Sequence, residues 1–271
     1  MPLDPLYLAT AVEAALAAGV VHRKYFRQNP RIDKKGPIDL VTAADLEVER
    51  TFRTLIAERF PDHVVLGEEA TSVGAVATSR HRWIIDPVDG TTNFAHGLAL
   101  FSVSIALEVD GRLELGVVYD PMADELFTAE RGQGARLNGR RLRVSTCDTM
   151  IDALVCTGFP YSVQETRHRQ IEVFAAFMGQ ARAVRRLGSA ALDLCYVAAG
   201  RFDGFWEEQL KSWDLAAGVV IIEEAGGRIT GFDGAPLVIE SPHIHLAATN
   251  GYLHQKMLDV IATGHRAAAG D

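Results

Sequence analysis

Hydrophobic and polar positions divide the first 60 residues into two helical segments. Asp4-Pro5 predicts a helix start, with an N-cap followed by proline in the first turn, and the Ala-rich stretch after it extends to about Phe26. Thr42 and Asp45 have capping-box spacing, so we expect a second helix with one apolar stripe that ends at the next proline.

After one short apolar run that follows the second helix, the pattern changes from Trp83 to about Val144 to short apolar or alternating runs, which are typical of strands. We expect strands at 64–66, 83–85, 101–109 and 113–119, with turns at Asp110-Gly111 and Asn138-Gly139. Two turns of this type joining alternating runs indicate an antiparallel sheet.

After Met150 apolar strands alternate with helices, which indicates an α/β arrangement. The expected strands are 153–157, 202–206 and 246–249, and the expected helices lie near 164–178, 189–199, 212–225 and 251–262. No repeat, low-complexity tract or long linker separates the two patterns. We therefore divide the chain into halves 1–147 and 148–271 that pack together and build one active site between them.

Composition limits the class of protein. The chain has 271 residues, 48% hydrophobic and 23% charged, which is the profile of a globular protein with a large core. The formal net charge of −8 gives no support for a nucleic-acid partner or an anionic lipid surface. Three widely spaced cysteines, and an N-terminus without the pattern of an export signal, predict reduced thiols and a cytoplasmic location without membrane attachment.

The densest chemical signal is the run 83–94, Trp-Ile-Ile-Asp-Pro-Val-Asp-Gly-Thr-Thr-Asn-Phe. We expect a buried strand to deliver Asp86, Pro87 to stop the strand, and a helix to open at Thr91-Thr92 after Gly90. Carboxylates without His or Cys form an oxygen-only site that selects Mg²⁺ or Mn²⁺ over zinc, while helix N-terminal amides favour a phosphate. Together they predict metal-assisted phosphate chemistry.

Two other interpretations of this run stay open. Asp86 and Asp89 could hydrogen-bond only their own loop, as Asp does beside Pro and Gly. The triplet Asp89-Gly90-Thr91 also matches part of the loop of haloacid-dehalogenase-type phosphatases, but Pro87 stands where that loop needs its nucleophilic Asp.

Two further acidic segments extend the pattern: Gly67-Glu68-Glu69, and Trp213-Asp214-Leu-Ala-Ala-Gly218. With the run 83–94, they make the chain resemble, almost end to end, the inositol monophosphatase family of lithium-sensitive, magnesium-dependent phosphomonoesterases. The resemblance implies an α+β fold, a layered α-β-α-β-α sandwich with an antiparallel N-terminal sheet and an α/β C-terminal half. It also implies direct hydrolysis of a phosphate monoester by water, without a covalent enzyme intermediate.

The resemblance carries roles onto matching positions. Metal ligands would be Glu68, Asp86, Asp89, Asp214 and the backbone carbonyl of Val88. Catalysis would use Glu68 and Thr91 to orient the attacking water, with Asp45 behind Thr91. Substrate would be bound by Asp89, Gly90, Thr91, Thr92, Ala190 and Glu207, and Lys34 falls where the family places a basic residue near the metals.

Cofactors and partners follow from the same resemblance. Two or three Mg²⁺ ions, with Mn²⁺ as a substitute, would serve a homodimer acting on a small polyol phosphate, inositol 1-phosphate first. Fructose 1,6-bisphosphate, histidinol phosphate and adenosine 3′,5′-bisphosphate are alternative substrates. Some bacterial relatives act on transcription complexes, and arginine clusters at 136–143 and 182–186 could form basic patches, although solvated surface is the simpler interpretation.

Several site residues also have purely structural interpretations. Asp45 could serve only its capping box, Asp214 could only complement a helix dipole, and Glu207 could be a rim carboxylate. Lys34 lies in a polar segment where a solvated lysine is the ordinary case. Departures from the family pattern at Ala70, Ala99 and Lys211-Ser212 remove no ligand, but they leave the choice of substrate less determined.

Overall fold

A computed structural model describes residues 3–27, 32–34, 40–69, 79–160 and 162–270. The helices are α1 (Pro5–Tyr25), α2 (Ala43–Arg59), α3 (Thr91–Ala95), α4 (Val163–Met178), α5 (Ala190–Ala198), α6 (Ser212–Glu224) and α7 (His254–Ala269), with a 3₁₀ turn at Met150–Asp152. The strands are β1 (Ile32–Lys34), β2 (Leu40–Thr42), β3 (Val64–Gly67), β4 (His81–Asp89), β5 (Ser102–Val109), β6 (Arg112–Asp120), β7 (Glu125–Glu130), β8 (Gly134–Leu137), β9 (Arg140–Arg141), β10 (Leu154–Thr157), β11 (Ala183–Arg185), β12 (Gly204–Leu210), β13 (Arg228–Thr230) and β14 (Ile244–Thr249).

The first two helices begin where the sequence predicts. The Asp4 side chain accepts a hydrogen bond from the Leu6 amide at 2.9 Å, and Pro5 occupies the first turn. Thr42 and Asp45 form a complete capping box, which satisfies amides that have no partner within the helix. These local predictions are confirmed.

The first sheet has seven strands in the order β3-β4-β5-β6-β7-β8-β9. Residues in the left-handed region make both predicted turns, Asp110-Gly111 and Asn138-Gly139, with φ between 48° and 79°. All pairs are antiparallel except β3 with β4, which is parallel. The antiparallel arrangement expected from Trp83 to about Val144 is confirmed, and β3 adds a parallel edge because it enters the sheet through a separate connection and not through a hairpin.

The second sheet has five strands in the order β11-β10-β12-β14-β13. β10 runs parallel to both of its neighbours, whereas β14 is antiparallel to β12 and β13. The short strands β11 and β13 were not predicted, and α7 extends seven residues beyond the expected end at 262. The mixed sheet and its four accompanying helices confirm an α/β second half.

Three apolar clusters show the order of the layers. α1 and α2 cover the outer face of the first sheet, where Phe52 packs with the fully buried Trp83. On the other face Ile84 shares a core with α5, α6 and Phe205, so these two helices lie between the sheets. α4 and α7 cover the far face of the second sheet, where Phe177 stacks on Trp206 with their ring centroids 3.7 Å apart. Alternating side chains thus bury both faces of each sheet, which confirms the layered sandwich.

By length and composition α1 could span a membrane, with a mean hydropathy of 1.3 over its most apolar 18 residues. In the fold 39% of that window is buried. Ala11 and Ala15 pack against the first sheet and have no exposed surface. The hydropathy of α1 is weak evidence for a membrane segment, because a core helix passes the same test.

Candidate active site

Most of the predicted site residues line one cavity of about 470 Å³. Ten of them line it: Glu68, Asp86, Val88, Asp89, Gly90, Thr91, Thr92, Ala190, Glu207 and Asp214. They come from the ends of β3 and β4, from α3, and from α5, β12 and α6 of the second half. A separate cavity of about 610 Å³ near the C-terminal end of α6 contains none of them. The layered packing therefore brings both halves of the chain to one site.

The end of β4 is a bulge. Asp86 pairs with Ser104 and Asp89 with Ser102, so β4 has one residue more than β5 across this interval. The expectation that Pro87 stops the strand is wrong, since β4 continues through it to Asp89. Proline has no amide to donate, and a bulge is one of the few places where a strand tolerates this.

Asp89 joins the two halves at the start of α5. Its carboxylate accepts hydrogen bonds from the hydroxyl of Ser189 and from the amides of Ala190 and Ala191, the amides at 3.1 and 3.0 Å. Burial raises the pKa of Asp89 to about 6, and these hydrogen bonds counteract that rise. The helix N-terminus stabilises the charged form, so Asp89 is held in place by the second half.

Asp214 lies in the first turn of α6. Its carboxylate accepts a hydrogen bond from the Lys211 amide at 2.7 Å, so it caps the start of the helix as well as adding negative charge to its first turn. The same side chain lines the cavity, where burial and the charges of Glu68 and Asp89 raise its pKa well above the usual range. The structural role and a position at the site are thus compatible.

Negative charge is concentrated here. Burial, followed by the charges of Glu68, Asp89 and Asp214, raises the pKa of Asp86 well above its usual range. Within the described residues no Lys, Arg or His makes an ion pair with Asp86, Asp89 or Asp214. A cluster of buried carboxylates is stabilised by a cation, and its oxygen-only donors suit a hard divalent ion.

The donor chemistry of the site therefore fits Mg²⁺. Within the described ranges, no group of three or more His, Cys, Asp or Glu side chains is arranged closely enough to coordinate one metal ion. The carboxylates instead line a common cavity. Asp86, Asp89 and Asp214 each accept a hydrogen bond from a backbone amide, as when Asp86 accepts from the Val88 amide at 3.0 Å.

Thr91 connects the cavity to Asp45. The Thr91 hydroxyl lies 2.8 Å from the Val88 carbonyl oxygen and 3.5 Å from the Asp45 carboxylate. A hydroxyl has one hydrogen, so the shorter contact is its hydrogen bond and the longer one is marginal. Burial raises the pKa of Asp45 to about 7, although its hydrogen bonds from Thr42 oppose this. Asp45 serves the capping box and also lies behind Thr91, as both interpretations proposed.

Gly90 provides the turn between β4 and α3. Its φ of 95° is in the left-handed region, and a Cβ there would lie 3.0 Å from the Leu100 carbonyl oxygen. The predicted helix at Thr91 exists but contains only five residues, Thr91–Ala95. Its dipole is accordingly smaller than the sequence alone led us to expect.

Glu207 lies on β12 at the far side of the cavity and is buried. Burial and the nearby Asp193 carboxylate raise its pKa to about 8. A Cβ at Gly158 would lie 2.0 Å from a Glu207 carboxylate oxygen, so any larger residue there would displace this carboxylate from its position. Lys34 is in β1, but its side chain is outside the described residues, as is the whole of Ala70.

Sequence reasoning missed three residues of the site. Gly158 and Arg186 line the cavity, and Ser189 binds Asp89. Ser189 is the N-cap of α5, so the cap signal before an apolar helix could have identified it. Gly158 belongs to no recognisable local pattern, and Arg186 was noted only as part of the arginine cluster at 182–186.

Comparisons with known proteins agree with this architecture. The sequence profile of the inositol monophosphatase family matches residues 5–265. An inositol-1-monophosphatase of Rhizobium meliloti (strain 1021) is 42% identical over 94% of this chain and 95% of its own. The Nus factor SuhB of Pseudomonas aeruginosa is 43% identical over 88% and 89%.

Solved structures show the same fold. The extragenic suppressor protein suhB from Bartonella henselae superposes with a TM-score of 0.89 at 40% identity, covering 96% of this chain and 99% of its own. The inositol monophosphatase from Anabaena (Nostoc) sp. PCC 7120 gives 0.85 at 41% identity over 95% of each chain. The chain therefore belongs to the inositol monophosphatase family.

Proposed function

We propose that this protein is a Mg²⁺-dependent phosphoric monoester hydrolase that acts on small polyol phosphates, with inositol 1-phosphate preferred. The observation that supports it most is the convergence of Glu68, Asp86, Asp89 and Asp214 on one cavity that also contains Glu207. Relatives named inositol-1-monophosphatase, at 42% identity, support the same choice.

Glu68, Asp86, Asp89, Asp214 and the Val88 carbonyl would hold the ions. When bound there, Mg²⁺ would supply a lower pKa for the attacking water and would neutralise charge on the phosphoryl oxygens. Mn²⁺ has similar ligand preferences and would substitute.

The chain's own groups bind and orient the reactants. Glu68 and the Thr91 hydroxyl orient the attacking water; the Val88 carbonyl accepts the hydrogen bond of that hydroxyl, and the buried Asp45 lies behind it. Backbone amides at the Gly90 turn bind phosphate oxygens, and their fixed geometry stabilises charge that develops during the reaction.

Metal dependence is tested with Asp86→Asn. The amide oxygen retains the hydrogen bond from the Val88 amide, so the variant loses the negative charge with little other change. Asp89→Asn is a less clean test, because its amide group would replace an acceptor shared by Ser189 and two backbone amides of α5. We expect Asp86→Asn to fold and to lose nearly all turnover. Turnover at the wild-type rate by this variant, or by chelator-treated protein, would refute the proposal.

Substrate selection is tested at Glu207. Its carboxyl group can hydrogen-bond vicinal hydroxyls of a polyol, and a site built for hydroxyls discriminates against compounds without them. Glu207→Ala should reduce kcat/KM for inositol 1-phosphate roughly tenfold to a hundredfold, while a hydroxyl-free aryl phosphate changes little. Gly158→Ala leaves the carboxylate present but displaces it, so it should show the same selective loss.

A panel of phosphate esters separates the alternatives. Fructose 1,6-bisphosphate, histidinol phosphate and adenosine 3′,5′-bisphosphate are measured beside inositol 1-phosphate. A wild-type preference for one of these would reassign the substrate within the family. Equal losses on polyol and aryl phosphates would remove the hydroxyl-binding role of Glu207.

A second candidate function is participation in a transcription complex. It is favoured by relatives named Nus factor SuhB, which are 43–44% identical to this chain. The net charge of −8 argues against a large electrostatic contribution to RNA binding. Salt-sensitive binding of the purified protein to RNA or to RNA polymerase would support this function, and Asp86→Asn should leave such binding unchanged.

We also propose that the protein is a homodimer in the cytoplasm, as the family resemblance and the composition led us to expect. Analytical ultracentrifugation tests the first statement and cell fractionation tests the second. A monomer at micromolar concentration would contradict the dimer.

A further inference from the structure

The last turn of α1 places a histidine beneath the bulge of β4. His22 has no exposed surface, and its ring meets those of Phe94 and Phe101 edge-on, with centroids 6.1 and 5.7 Å away. Its Nε2 lies 2.8 Å from the carbonyl oxygen of Pro87. A single polar contact thus joins α1 to the segment between Asp86 and Asp89.

The chemistry of this contact defines the tautomer. A carbonyl oxygen only accepts, so Nε2 carries the proton and donates it, and Nδ1 is left as a bare acceptor. Among the described residues Nδ1 has no hydrogen-bond partner. A buried polar atom without a partner destabilises the fold, and an apolar side chain among these phenylalanines would avoid that cost. Packing alone therefore does not account for a histidine here.

The bulge explains what the hydrogen bond accomplishes. Asp86 and Asp89 have register partners on β5, but Pro87 and Val88 between them have none. Their carbonyl groups need other donors, because buried backbone oxygens are almost always paired. Pro87 is satisfied by His22, and Val88 by the Thr91 hydroxyl at 2.8 Å. These two hydrogen bonds hold the two residues of the bulge that have no partner on β5.

We propose that His22 is a positioning residue for the cation site. Its N–H fixes the Pro87 peptide, and thereby the orientation of the Val88 carbonyl and the spacing of the Asp86 and Asp89 carboxylates. The inference rests on the proposed function only in that Mg²⁺ binds these groups. His22 contacts neither ion nor substrate, and it acts through the backbone of the bulge.

The test compares variants with and without a donor. His22→Phe and His22→Leu fill the pocket but cannot donate, whereas the amide of His22→Gln can reach the Pro87 oxygen. The Mg²⁺ dissociation constant is measured by calorimetry without substrate, and Tm is measured in chelator. We expect both apolar variants to raise the dissociation constant about tenfold, as loss of a group that orients a ligand does, and Gln to stay near wild type.

A merely structural role would give a different pattern. Apolar variants with wild-type Mg²⁺ affinity would overturn the inference, and so would an equal loss of affinity in Phe, Leu and Gln. We expect Tm in chelator to change little for Phe or Leu, because the unsatisfied Nδ1 is removed while the Pro87 carbonyl loses its donor, and these two effects oppose each other. Mg²⁺ binding that follows this pattern without phosphatase activity would refute the proposed function alone. A wild-type protein that binds no Mg²⁺ would refute both.

Discussion

Gly116 on β6 is where α6 presses most closely on the first sheet. A Cβ at this position would lie 2.4 Å from the carbonyl oxygen of Ala217 and 3.0 Å from its Cα. Ordinary van der Waals contact begins at 3.4 Å, so the Cβ of Gly116→Ala would lie about 1 Å too close to the Ala217 carbonyl oxygen. The obstructing atoms are helix backbone and cannot rotate away. The whole helix must move, and it carries Asp214 one turn earlier.

The magnitude follows from the overlap. Inserting a methyl group into a packed interior costs about 1–3 kcal/mol, and in a chain of this size that lowers Tm by roughly 2–10 °C. Displacing Asp214 by part of an ångström also weakens the cation site, and a 1 Å error in positioning costs up to about a hundredfold in rate. We therefore expect Gly116→Ala to lose both stability and Mg²⁺ affinity.

Thermal unfolding with and without Mg²⁺ measures both losses. Gly179→Ala is the matched control, because its nearest neighbours would be 3.7 Å away and its φ of −77° suits alanine. That variant should be neutral or gain about 0.4–1 kcal/mol from a less flexible unfolded chain. If Gly116→Ala unfolded at the wild-type temperature with wild-type Mg²⁺ affinity, the close contact of α6 with β6 would be refuted.

Three further predictions concern thiols, pH and lithium. A thiol reagent should modify only Cys147 in the native protein, because Cys156 and Cys195 are fully buried and burial raises the pKa of both; rapid reaction of a second thiol would contradict this. Burial lowers the pKa of His254 from 6.5 to about 4, so the stability that its neutral ring contributes is present above pH 6.5 and lost as pH falls to about 4. The difference in unfolding free energy between wild type and His254→Gln, from urea titrations, should shrink over that interval, and a constant difference would refute the assignment. Lithium in the millimolar range should inhibit turnover in assays at several Mg²⁺ concentrations, and its failure at all of them would show that the ion site near Asp214 differs from the family's.

Much of the local structure could be predicted from the sequence. The N-caps of α1 and α2 and the turn at Asp110-Gly111 depend on groups within a few residues of each other, so a single chain segment contains the information. The run from Asp86 to Thr91 likewise contains its chemistry locally, because the two carboxylates, the glycine of the turn and the threonine are neighbours in the chain. Three motifs of this kind sufficed to identify the family.

Tertiary structure decided the rest, because the deciding contacts join distant residues. The continuation of β4 through Pro87 depends on pairing with β5 and on His22, which is 65 positions away in the chain. Asp89 is held by amides 101 and 102 positions later, and Glu207 has its space because Gly158, the residue after β10, faces it without a side chain. The sequence by itself thus determined which chemical groups the site contains. Packing decided the strand register, the spacing of the carboxylates and the space available to each side chain, because these depend on where separate segments of the chain meet.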